Sequence, residues 1–156
     1  MPDVVAQRLL RLWRRLAPFP GGKWLFTRSL GFAVPYSGSI GARIETLEPG
    51  HARVSLRDHR AVRNHLHSIH AIALANLGEL ATGLAMLTAA TSARGILLGM
   101  HVAYHKKARG RLVAECRANP PPVTEPIDVE VAAPVVDADG DVVAVFTATW
   151  RLAPPA

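Results

Sequence analysis

Asn64, His70 and Glu79 are the residues of this sequence best suited by type and spacing to do chemistry. They lie in the stretch Val62 to Ala81, where a basic, His-rich loop runs directly into a long apolar segment whose one acid is Glu79. Burying a carboxylate without a partner is costly, so an acid among small and aliphatic residues marks a candidate site. Asn64 precedes the expected helix, and His70 stands at its first turn, nine residues before Glu79. Together they supply a polar loop side chain, a helix N-terminus with unpaired backbone N–H groups, and an acid further along the helix. That set suits general-base or nucleophilic attack at a carbonyl: the Ala71 N–H can polarise the carbonyl with help from the helix dipole. Glu79, made more basic by apolar surroundings, can take a proton from water or attack directly. The competing structural role for Glu79 is a buried acid hydrogen-bonded to a partner chain or to a neighbouring Asn or Thr.

Other chemistry is poorly supported. There are seven histidines, with His65, His67 and His70 clustered and His101 and His105 on one strand face, but the spacings match no standard zinc signature. No metal is expected; His70 should line the site, and His65 and His67 the loop around it. A Gly-x-Ser-x-Gly elbow is absent. Lys106, Lys107, Arg109 and Arg111 form a basic run suited to phosphate groups, or alternatively a charged strand end that keeps a sheet edge soluble.

These groups must be held by a real core, and 156 residues suffice for one domain. Hydrophobic residues make up 49% and charged residues 19%, a folded composition. The net charge of +6 favours polyanionic partners. Aromatics, at 6%, are not interleaved with the basic runs, which argues against a nucleic-acid binder. The single Cys116 and the lack of a secretory leader pattern fit a cytoplasmic protein. The longest apolar run, Ile69 to Ala90, contains Asn76 and Glu79 and reads as a buried helix rather than a membrane span.

Along the chain, residues 3–17 form an amphipathic helix with Val5, Leu9, Leu12, Trp13 and Leu16 on one face and Arg8, Arg11, Arg14 and Arg15 mostly opposite. This helix either packs on the domain with a solvated Arg face or lies on a membrane surface. A second helix, Lys23 to Ala33, stops at Pro35. From Ser39 the period shifts to two. A hairpin turning at Pro49-Gly50 is followed by the basic loop Asp58–His67 and a helix over about 68–90 with Ser68 as its N-cap. Four further strands follow: 95–107, 112–117, 127–136 and 142–152. The class is α+β, one long helix against one antiparallel sheet. Residues 1–35 read as an N-terminal helical extension and 36–156 as the main part of a single domain.

In its motifs the sequence resembles the hotdog-fold acyl-CoA thioesterases of the phenylacetyl-CoA and 4-hydroxybenzoyl-CoA type. The resemblance rests on Asn64, then His70-Ala71-Ile72, then Glu79, where the family has Asn or Gln, His-Gly-Gly and an acid two turns on. Tyr104-His-Lys-Lys-Ala-Arg-Gly110 matches a second family element. The resemblance implies an antiparallel sheet wrapped around the central helix and a homodimer, with tetramers as a further option. It also implies hydrolysis of an acyl-CoA or acyl-carrier-protein thioester with no cofactor beyond the coenzyme A of the substrate. Glu79, Asn64 and Ala71 are then catalytic. His70, His67, Gly83, Lys106, Lys107 and Arg109 then bind substrate, with Leu80, Leu84 and Leu87 beside Gly83 in the acyl pocket. Ala71-Ile72 departs from the glycine pair, and Ile72 narrows the site. Hydratase or dehydratase chemistry on an acyl thioester, and binding without turnover, are the alternatives.

Overall fold

Alternation of apolar and polar residues builds six strands, and in the computed structural model, which describes residues 2–155, they join one antiparallel sheet. The strands are β1 Arg43–Glu48, β2 His51–Leu56, β3 Arg94–Tyr104, β4 Leu112–Arg117, β5 Ile127–Val136 and β6 Val142–Ala153, ordered β1-β2-β4-β5-β6-β3. The expected hairpin and the four later strands are present, within a few residues of the expected limits. Met1 and Ala156, the outer ends of the expected extension and domain, lie outside the described residues.

Among the described residues four α-helices accompany the sheet, α1 Pro2–Leu16, α2 Gly22–Ala33, α3 Pro35–Gly38 and α4 Ala71–Ala89, with a short 3-10 turn at Arg60–Val62. α4 is rich in Ala and Leu, which favour helix, and apolar on nearly every side, so it must be covered. It touches all six strands, which wrap around it. Leu74, Leu77, Ala81, Ala85 and Met86 are buried with Val54, Leu112, Val135 and Phe146 in one core. The helix is long and apolar enough to cross a membrane, but most of it is buried in this fold.

Gly78 sets the distance between α4 and the sheet. A methyl group there would overlap Cβ and Cγ of Phe146 on β6. Gly78→Ala gains about 1 kcal/mol of helix propensity. The forced overlap costs about 3 kcal/mol. Overpacking wins, and the variant is expected to melt about 4–8 °C lower in calorimetry; an unchanged or higher Tm would refute this packing.

Two details differ from the sequence pattern. α1 buries only part of the expected Val5-Leu9-Leu12-Trp13-Leu16 stripe: Trp13 is buried together with Ala6 and Leu10, Leu9 and Leu16 pack partly against the core, and Val5 and Leu12 are exposed. The cause is Trp13, which packs edge-on against buried Phe26 of α2, ring centroids 5.1 Å apart, and fixes the helix's rotation. The second is α3. Pro35 reads as a stop, yet proline suits a first helical turn, and the chain turns again there. The side-chain amide of Asn76 donates to Tyr36 O at 3.2 Å, tying α3 to α4. Along the outer strand, the Ile44 N–H donates to Thr27 Oγ1 and the Lys23 ammonium donates to Glu45 O, so α2 covers the β1 edge.

Candidate active site

The start of α4 is organised by Asn64. Its Oδ1 accepts from the Leu66 N–H (2.9 Å), the Ser68 N–H (3.2 Å) and the Ser68 hydroxyl (3.1 Å). This closes a tight loop in which His67 takes a positive φ of 54°. Ser68 is therefore not the N-cap. His70 is: its Nδ1 accepts from the Ile72 N–H at 3.1 Å. The hydroxyl of Ser68 is committed to Asn64, and His70 is the last extended residue before the helix. The Ala71 N–H has no hydrogen-bond partner among the described residues, and its carbonyl accepts from the Tyr104 hydroxyl at 3.0 Å. Burial raises the Tyr104 pKa.

Glu79 lies half-buried on the same helix, with no hydrogen-bond or ion-pair partner for its carboxylate among the described residues. Burial raises its pKa above the ordinary value of 4.5. Space for a methyl at Gly83 would lie 3.5 Å from Glu79 Oε1 and 3.6 Å from the Trp150 ring, so acid, glycine and indole share one spot. The Trp150 Nε1 is buried and has no acceptor among the described residues. Trp150 was missed by sequence reasoning; its signal was its in-phase position with the inward-facing Phe146 and Ala148 on β6. Val102, Met100 and Tyr104 on β3 pair with Phe146, Ala148 and Ala144, so they face the helix side too. Met100 and Tyr104 are nevertheless exposed, because α4 only partly covers this strand. The face of α4 that carries Glu79 and Gly83 is thus only partly covered along the β3–β6 edge. Of the expected acyl-pocket residues, Leu80, Gly83 and Leu87 border solvent on α4, whereas Leu84 belongs to the core.

The basic run is divided. Lys106 is engaged by two carboxylates: its ammonium sits 2.7 Å from Asp137 Oδ2 and 2.6 Å from Asp141 Oδ2, and both raise its pKa. Arg111 pairs with Glu45 at 3.0 Å. Lys107 and Arg109 are exposed and make no ion pair among the described residues. Between them, buried Ala108 accepts the Ile69 N–H at 2.8 Å, holding this turn beside the start of α4. Exposed His67 and His70 flank the same loop. No group of three His, Cys, Asp or Glu that could hold a metal occurs among the described residues.

A six-stranded antiparallel sheet wrapped around one long helix is the hotdog fold. The chain belongs to the family described as a domain of unknown function, DUF4442, whose model matches residues 22–152. Among solved structures it is similar to a Pseudomonas aeruginosa protein of unknown function named a probable thioesterase. The two are 24% identical with a TM-score of 0.75, covering 88% of this chain and 97% of that one. It is also similar to a thioesterase family protein from Silicibacter pomeroyi (22% identity, TM-score 0.67, 83% and 96% covered). A mutant of the phenylacetic acid degradation protein PaaI from Thermus thermophilus is a further match (22%, 0.64, 75% and 97%). No curated protein matches the sequence.

Proposed function

We propose that this protein hydrolyses an acyl thioester, carried by coenzyme A or an acyl carrier protein, with Glu79 as general base or nucleophile. The observation that carries the reading is Glu79 itself, a half-buried carboxylate with no partner among the described residues, beside Trp150 and Gly83. As a base, Glu79 takes a proton from water, the hydroxide adds to the carbonyl carbon, the C–S bond breaks, and the thiolate recovers a proton. The Ala71 N–H receives the oxyanion. Lys107 and Arg109 hold phosphates near the helix start, where His67 and His70 line the entrance. The free amide end of Asn64 orients water or thioester, its oxygen being spent on the loop.

Ala71 and Glu79 of one chain cannot serve one carbonyl. Eight residues of helix separate them, about 12 Å along the axis. The resemblance to the hotdog-fold thioesterases implies a site composed of two protomers, with Glu79 of one facing the Asn64–Ala71 loop of its mate, and this separation agrees with it. β3 supplies the means. It is an edge strand of 11 residues with Ile96, Leu98 and Met100 exposed, an open ladder suited to pairing with a second copy.

Thiol release from short, medium, long and aromatic acyl-CoAs tests the reading. Turnover of at least one is expected, rising with pH along a limb whose midpoint lies above 4.5, because only ionised Glu79 works and burial opposes its ionisation. No release from any acyl-CoA or acyl carrier protein thioester would overturn it. One observation favours binding without turnover: Ile72, 57% exposed, stands at the helix start where the resembling enzymes have glycine.

A further inference from the structure

The exposed large apolar side chains fall, Val142 aside, into two groups. One surrounds β3 and the start of α4 and is taken up by the proposed dimer. The other belongs to the N-terminal helices and includes Phe19 (67% exposed), Trp24 (57%), Leu25, Phe32 (76%), Val34 and Tyr36 (71%). Trp24, Arg28 and Phe32 form an i, i+4, i+8 stripe along α2, the Arg28 guanidinium lying 5.7 Å from the Trp24 ring centre and 5.4 Å from that of Phe32.

Charge follows the same division. Residues 1–44 hold seven Lys and Arg against one acid, whereas residues 45–156 hold eleven of each. The entire excess of +6 therefore belongs to the segment that also exposes the aromatics. Arg8, Arg11, Arg14 and Arg15 on α1 make no ion pair among the described residues. The α2 stripe itself forms one wall of a cavity of about 720 Å³ that opens between α2–α3 and the β1–β2 hairpin. Arg28, Arg43, Arg57 and Arg111 line it, with Glu45 as the one carboxylate.

We infer that the N-terminal helices dock this protein on an anionic phospholipid bilayer, aromatics entering the headgroup layer and arginines facing lipid phosphates. Clustered aromatics among unpaired cations are the composition that partitions to a bilayer interface, where each supplies what the other lacks. A second copy of this chain would meet its own positive charge there. The surface stays open in the dimer, because β1 and β3 are opposite edges, five strand spacings or about 24 Å apart. The inference does not depend on the chemistry at Glu79.

Vesicle flotation of the full chain is the test. Phosphatidylglycerol vesicles should carry the protein at low salt and release it at high salt, and phosphatidylcholine vesicles should carry about tenfold less. Trp24 emission should shift to the blue on binding; the other tryptophans, Trp13 and Trp150, are already buried or half-buried. Trp24→Ala with Phe32→Ala, both exposed and remote from the core, should reduce partitioning about tenfold and leave thiol release from soluble acyl-CoA unchanged. Equal binding to both lipids, or none to either, would overturn the inference. So would a smaller assembly mass for the double variant in the absence of lipid, which would mark the patch as a contact between copies.

Discussion

Glu79→Gln is expected to lower thiol release about a thousandfold while leaving acyl-CoA affinity at its wild-type value. The amide keeps the size of the carboxylate and the contacts to Gly83 and Trp150, but takes no proton from water and forms no anhydride. Stopped-assay turnover and a binding titration on the same preparation separate the outcomes. Loss of both would make Glu79 a packing residue, and loss of neither would remove it from the mechanism. Single-turnover hydrolysis in ¹⁸O-water bears on its role: label in Glu79 establishes a nucleophile, whereas label confined to the released acid is the outcome of a general base and also of an anhydride opened at the acyl carbon.

Stability should move the other way. A carboxyl whose folded pKa is raised contributes stability that is fully present below its unfolded pKa and lost as pH rises through the folded value. At a pH where Glu79 is ionised it therefore weakens the fold, and the Gln variant should melt higher there than the wild type. An inactive variant that is also more stable is the signature of a group kept for function.

The second large effect is expected at the β3 edge. Leu98→Lys with Met100→Lys should turn a dimer into a monomer and abolish thiol release although Glu79 is intact. Each lysine would place an unpaired charge in the pairing strand, about 2 kcal/mol or more apiece. Together they raise the dissociation constant by roughly three orders of magnitude. Light scattering and thiol release at the same protein concentration are the measurements. A fully active monomer would refute a site shared between protomers, and a persistent active dimer would refute β3 as its seam.

Legibility in the sequence followed the range of the forces concerned. β4 and β5 could be delimited to the residue because their alternation and flanking turns are local. α4 and its one acid stood out because a charge inside an apolar helix is costly anywhere. The rotation of α1 was not legible, since it is decided by the contact of Trp13 with Phe26 across a Pro-Gly turn. Nor was the fate of Lys106, whose two aspartates lie more than thirty residues further along the chain. His70 displaced Ser68 as cap because Asn64 claims the serine hydroxyl, a competition no pairwise preference contains. Trp150 reaches Gly83 only through the packing of β6 on α4.

Gly78 and Gly83, five residues apart on α4, open opposite routes to redesign. At Gly78 any side chain strikes Phe146, so the helix cannot be moved relative to the sheet by substitution there. At Gly83 a methyl would meet its neighbours at ordinary van der Waals distance. Substrate size can thus be altered at one position while the scaffold is held fixed at the other. Gly83→Ala is expected to keep the fold while crowding the spot that Glu79 and Trp150 share, the place where the proposed acyl chain would be shortened.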